Sequence, residues 1–239
     1  VDVETMDAMH EAGVKAFPAQ TKGLGGQPLE FEMDGDVKVF ELTTQLVKWN
    51  ILPDVTVTAM SYNGTVPGPE IRVTEGDRVR VILTNTLPYS TTIHWHGILV
   101  PNDMDGVPDM PRPAVAPGES FTYEFEANPA GTYWYHSHVQ SDAQVMTGLY
   151  APFIIEPREP QGPAPDLDVT LMFGEWRVIG GLTYPAMPMA GMEPNYFTIN
   201  GKAYPATDPI PVLAGERGGV VDQVAGGEVV GAVDDQVVG

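Results

Sequence analysis

The chain has 239 residues, 43% of them hydrophobic and only 18% charged, with 26 Gly and 23 Pro. That composition excludes wholesale disorder and suits many short strands joined by tight turns better than a helical bundle. Twelve basic residues against 32 acidic ones give a formal charge of −20, so a polyphosphate backbone would be repelled and nucleic acid is set aside as a partner. No cysteine is present, which excludes disulfides, thiolate metal ligands and a cysteine nucleophile from these residues.

The length suits two unequal domains. No apolar run approaches the ~20 residues needed to cross a bilayer, so no membrane span is expected. Val1-Asp2-Val3-Glu4 has neither the basic nor the apolar part of a secretory signal. The first residue is not Met, which leaves a removed leader open.

Met6, Met9, Val14 and Phe17 recur at helical spacing behind Thr5, predicting a short helix over 5–17 with Thr5 as its cap. His10 lies on it and reads as a packed or surface residue rather than a ligand. From Val37 the period changes to two, predicting a strand over 37–44. Val55 to Tyr62 forms the next, and Asn63-Gly64 supplies the positive φ of a type I′ hairpin turn. Pro67-Gly68-Pro69 then breaks the pairing before Ile71 to Thr74, and Glu75-Gly76-Asp77 turns the chain into Arg78 to Asn85. The expectation is a meander of short strands.

Thr91 to Val100 is apolar and β-branched, hence extended, and carries His94-Trp95-His96-Gly97. A Pro- and Gly-rich loop containing Met104-Asp105-Gly106-Val107-Pro108 follows. Phe121, Tyr123 and Phe125 then alternate with polar residues in a half-buried strand over 120–126. Strands are also expected over 132–138, which carries His136-Ser137-His138, and over 146–156. Pro157, Pro160, Pro163 and Pro165 then mark a stiff linker.

A second set of strands is expected over 168–176 and 196–199. Between them Met187, Met189 and Met192 could offer soft sulfur to Cu(I), but they read better as packing. Beyond Arg217 the chain uses only Gly, Val, Ala, Asp and Glu apart from two Gln, with no alternation long enough for a secure strand. Those five residue types share codons beginning with G, so an out-of-frame reading stands beside that of a loosely packed edge segment.

Four of the five histidines sit in the two His-x-His pairs. On an extended chain residues i and i+2 share a face, about 6.5–7 Å apart at Cα, so two strands each presenting two imidazoles to one face point to a polynuclear metal site. Imidazole binds Cu, Zn, Fe and Ni alike, so the residue type does not select the metal. Ser137 with a histidine base lacks the strand-turn-helix elbow of a serine nucleophile.

The order Tyr62-Asn63-Gly64, Pro67-Gly68-Pro69, Glu75-Gly76-Asp77, His94-Trp95-His96-Gly97, Asp105-Gly106-Val107-Pro108, Gly131 to His138 and Gly148-Leu149-Tyr150 resembles the first cupredoxin domain of laccase-type multicopper oxidases. Phe197 to Lys202 is similar to the opening of their second domain. The resemblance covers about residues 37 to 213. It implies an all-β, cupredoxin-like Greek-key β-sandwich over 37–157, after a lead-in over 1–36. A linker over 158–167, a partial second domain over 168–216 and an atypical tail over 217–239 would follow.

The family oxidises phenols, aromatic amines or metal ions at a type 1 copper and passes four electrons to a trinuclear copper cluster, where O₂ becomes water. The resemblance therefore implies O₂ and a small reducing substrate as partners and a periplasmic or secreted location. It gives His94 to the type 2 copper and His96, His136 and His138 to the type 3 pair. It makes Asp105 a catalytic carboxylate that orients water and histidine and assists proton delivery; the plainer reading is an Asp turning the chain before Gly106.

Four cluster histidines and the type 1 ligands of that family, including a Cys, have no counterpart here, so the chain alone cannot form a blue-copper site. Three readings follow. The preferred one is the N-terminal portion of a laccase-like oxidase, truncated or misread beyond about Arg217. The others are a non-catalytic copper-binding module and a half-enzyme completed by another chain.

Overall fold

Residues 2–6, 8–9, 25–159, 162–186, 191–208, 210 and 218–224 are described by the computed structural model of the chain. Residues 3–6 and 8–9 are helical, and their cap is Asp2 rather than the expected Thr5: the Thr5 amide donates to Asp2 Oδ1 at 2.8 Å. An aspartate at that position accepts the third helical N–H, so the helix starts earlier than its apolar spacing suggested. Its expected continuation through Val14 and Phe17, with His10, lies outside the described residues. No helix among the described residues is long and apolar enough to cross a membrane.

Alternation of β-branched and aromatic residues carries the chain into β1 (Glu32–Asp34), β2 (Val37–Leu52), β3 (Val55–Tyr62), β4 (Ile71–Thr74), β5 (Arg78–Asn85), β6 (His94–His96), β7 (Ser120–Glu126), β8 (Gly131–His136) and β9 (Tyr150–Glu156). β2 runs eight residues past its expected end because the period of two continues through Trp49 and Ile51, both buried. Its first half pairs with β1 and, in parallel, with β5; its second half pairs with β3. β7 completes this sheet along β5. β4, β9, β8 and β6 form the second sheet, with β4 parallel to β9.

The expected meander is therefore wrong. Asn63 (φ 51°) and Gly64 (φ 83°) do take the positive angles of the turn, yet only an isolated Tyr62–Thr65 bridge spans it. Pro67-Gly68-Pro69 then delivers β4 to the opposite sheet. A local turn signal sets the direction of the chain but not which sheet receives the next strand; parallel pairs such as β2–β5 require a crossover.

The two sheets close over Phe40, Leu42, Val81, Leu83, Tyr123, Tyr135 and Phe153, with Trp95 at the centre. The Trp95 ring lies 4.8 Å from Phe125, 5.4 Å from Tyr123 and 5.8 Å from both Tyr135 and Phe153. Burying an aromatic side chain of about 150–250 Å² at about 25 cal/mol per Å² contributes roughly 4–6 kcal/mol. Trp95 thereby anchors the short strand that bears the first histidine pair.

A third sheet comprises β10 (Leu167–Ile179), β11 (Leu182–Tyr184), β12 (Tyr196–Ile199), β13 (Lys202–Ala203) and β14 (Gly218–Val224). Its Met172, Trp176 and Ala203 pack with Trp49, Ile51, Val57 and Tyr150 in a second buried cluster. Polar ties reinforce the contact: Trp49 Nε1 donates to the Gly201 carbonyl at 2.7 Å. Lys202 Nζ donates to the Asn50 carbonyl at 3.0 Å and lies 3.9 Å from the centre of the Trp49 ring. Arg72 bridges Glu70 and Asp168, both at 2.7 Å, and Glu70 accepts from the Thr170 hydroxyl at 2.6 Å.

Two expectations for this region change. Residues 218–224, read as lacking a secure strand, run parallel to Leu167–Phe173 of β10; the ladder comes from a partner edge that local alternation does not reveal. Met192 is half-buried, whereas Met187 and Met189 lie outside the described residues, as does the tail from 225 onward.

Candidate metal centre

The pairing of β6 with β8 sets His94 opposite His136, Trp95 opposite Tyr135 and His96 opposite Trp134. Alternation sends Trp95 and Tyr135 into the core, both fully buried, and leaves the two flanking pairs on the other face. His94 and His136 ring centroids are 5.3 Å apart, His94 and His96 5.6 Å, and His96 and His136 5.4 Å. Nitrogens of these three rings lie within 4.8 Å of one another.

His138 completes the group, 5.2 Å from His94 and 6.3 Å from His136 by ring centroid. It does so from outside the expected strand, since β8 ends at His136 and a helical turn, Ser141–Gln144, follows. The β6–β8 and β8–β9 registers both stop at His136, and beyond it the Ser137 amide still donates to the Leu149 carbonyl at 3.2 Å.

Hydrogen bonds fix two of the tautomers. His94 Nδ1 lies 2.8 Å from the Asp105 carbonyl and His136 Nδ1 2.9 Å from the Ser137 carbonyl. Carbonyls only accept, so both Nδ1 atoms carry the proton and both Nε2 lone pairs are left for a metal. His96 Nδ1 faces His136 Nε2 at 3.2 Å. A metal taking both nitrogens must displace the proton between them, which a shift of the His96 tautomer accomplishes. Burial, and then the neighbouring imidazoles, push His96 below its ordinary range; the same burial, reinforced by the other three rings, takes His136 down to about 3. Both are neutral ligands at neutral pH.

Asp105 stands beside the cluster, but its closest contact is its main-chain oxygen; the carboxylate Oδ1 is 3.5 Å from His94 Nδ1. Gly106 makes that approach feasible. Its φ is +78°, and a Cβ there would fall 1.7 Å from the Ile93 carbonyl oxygen, so the loop lies against the residue that precedes His94.

Trp134, absent from the sequence-derived set, walls the site: its ring stacks on His136 at 4.1 Å and 28° and lies 5.0 Å from His96. Its place two residues before His136 was the available signal. With Ser141, Asp142, Val145 and Met146 it lines an open pocket of about 350 Å³ around the four imidazoles.

Four convergent nitrogen donors, two with their tautomers fixed by main-chain carbonyls (His94, His136) and two held neutral by burial (His96, His136), fit a first-row transition metal. On a two-sheet Greek-key sandwich, that arrangement defines a metal-binding protein of the cupredoxin class. The multicopper oxidase family model matches residues 43–160, and the chain belongs to this family through that domain. Membership implies copper.

The chain is 38% identical over 159 residues to the copper resistance protein A homolog of Pseudomonas syringae pv. tomato, covering 66% of this chain and 25% of that protein. It is 45% identical over 130 residues to laccase-2 of Botryotinia fuckeliana, covering 52% and 21%. Among solved structures, the multi-copper oxidase from Pseudomonas thermotolerans superposes with a TM-score of 0.70 at 34% identity, over 80% of this chain and 47% of that one. The blue copper oxidase from Nitrosomonas europaea gives 0.69 at 34%, over 78% and 61%. The chain thus spans about a quarter or less of these curated relatives' length.

Proposed function

We propose that residues 37–157 form a cupredoxin domain supplying half of a trinuclear copper site, joined by 158–167 to a second domain that begins at 168. In this reading His94 is the type 2 ligand and His96, His136 and His138 are type 3 ligands. The remaining ligands and the type 1 centre come from residues outside this stretch, in a further segment or another chain. The whole assembly oxidises a small phenolic, aromatic or metal-ion substrate and reduces O₂ to water. The observation that carries the reading is the convergence of four imidazoles, three on one face of two paired strands and His138 from the turn that follows, with the core-facing Trp95 and Tyr135 holding that face in place.

Bound copper supplies the one-electron steps that organic side chains lack. The protein's part is to present neutral imidazoles in set tautomers, through the Asp105 and Ser137 carbonyls, and to wall one side of the site with Trp134. The Asp105 carboxylate, near the rings and partly exposed, is placed to hold and pass protons.

Copper titration of the chain tests this. The parent binds Cu(II) without the intense thiolate–copper absorption, since no cysteine is present, while His94→Ala and His136→Ala bind substantially less. Equal copper uptake by the parent and both variants would refute the four-imidazole site.

A further inference from the structure

Resting on the copper reading above, the structure assigns to Gln144 a role that the histidine motifs do not contain: we propose that it is the residue that positions His138. His94 and His136 are each held by a hydrogen bond from their own ring. Among the described residues neither ring nitrogen of His138 has such a partner, and the β6–β8 ladder has already ended. The place of His138 therefore depends on its backbone.

That backbone is tied by a buried polar knot. Gln144 Oε1 accepts from the Ser137 hydroxyl at 2.7 Å and the Thr91 hydroxyl at 2.9 Å, while its Nε2 donates to the Ser90 carbonyl at 2.9 Å. The Ser90 carbonyl can only accept, which fixes the amide's orientation. Ser137 Oγ in turn accepts from the Val139 amide, and Thr92 Oγ1 from the His138 amide, both at 3.2 Å. Gln144, Ser137 and Thr91 are all essentially fully buried, where a satisfied network is rigid and a broken one is costly.

Gln144 thus clamps the chain on either side of the cluster. Thr91 leads into the first histidine pair and Ser137 immediately precedes His138, so one amide oxygen ties the turn that carries His138 back to the first strand's lead-in after the ladder has stopped. Partners of metal ligands at this remove typically govern about 10- to 100-fold in affinity.

The test is a set of Cu(II) affinities for the whole chain: parent, Gln144→Met, His138→Ala, His96→Ala and the two double variants. Gln144→Met is expected to weaken binding at least tenfold in the parent and in the His96→Ala background, and to have no further effect when His138 is already Ala. An equal loss in all three backgrounds would show a general structural effect and overturn the assignment, as would no loss in the parent. Ser137→Ala, a smaller cut in the same knot, repeats the comparison should Gln144→Met not fold. If neither His138→Ala nor His96→Ala weakens binding, the four-imidazole reading itself has failed and the role of Gln144 falls with it.

Discussion

Gly106→Ala should be among the most damaging single-methyl additions near the metal centre, and Gly118→Ala separates the reasons. Both glycines have φ near +80°, but a Cβ at Gly118 meets nothing within 4 Å, whereas one at Gly106 falls 1.7 Å from the Ile93 oxygen, 2.4 Å from its carbon and 2.9 Å from the His94 nitrogen. The left-handed backbone costs about 1–2 kcal/mol for any L side chain and is common to both variants. Only Gly106→Ala adds the steric term. The clashing atoms are backbone, so no rotamer change relieves it; overpacking costs about 1–3 kcal/mol, and losing the Asp105–His94 hydrogen bond about 0.5–1.5 kcal/mol more. Urea unfolding followed by circular dichroism should therefore place Gly106→Ala roughly 1.5–4.5 kcal/mol below Gly118→Ala. Copper affinity should fall in the first variant alone, because the His94 tautomer loses its anchor. Stabilities within about 0.5 kcal/mol of each other would refute the claim that loop 101–113 is wedged against the histidine strand.

Two further outcomes probe how the third sheet is held. Arg72→Ala strands the nearly buried Glu70 carboxylate with, among the described residues, only the Thr170 hydroxyl hydrogen-bonded to it, and a loss of about 2–4 kcal/mol is expected in urea unfolding, since an orphaned buried charge outweighs the more exposed ion pairs that Arg72 also makes with Glu156 and Asp168. Adding Glu70→Gln should restore part of that loss, and no recovery would rule out the stranded charge as its cause. Lys202 supplies a pH dependence: burial, against a weaker upward pull from Asp208, takes its ammonium down to about 8. Between about pH 8 and the ordinary 10.5 the unfolded chain binds more protons than the folded one, so this residue makes stability rise with pH across that window. Lys202→Met should remove that contribution; a parent-to-variant difference that stays constant from pH 7.5 to 10 would contradict it.

The histidine pairs and the turn at Asp105-Gly106 were legible because each is a local pattern with a physical reading: period two for the shared face, and an Asp before a Gly for the turn. The same reasoning misplaced what depends on a partner strand. β2 continues to Leu52 because β3 pairs with its second half, and β14 exists through its ladder with β10. β8 stops at His136, where its ladders with β6 and β9 both end, so His138 reaches the cluster from a turn that alternation could not foresee.

By itself, then, the sequence determined which donors the candidate site offers: four imidazoles, no thiolate, and a face on which the two pairs could meet. Side-chain identity and the pitch of an extended chain carry that much information, and both are local. Only the tertiary structure decided how the imidazoles are held. The Asp105 carbonyl on His94 and the Gln144 knot behind His138 join residues up to 53 positions apart. Such contacts depend on where strands end and sheets close, which no single stretch of the chain specifies.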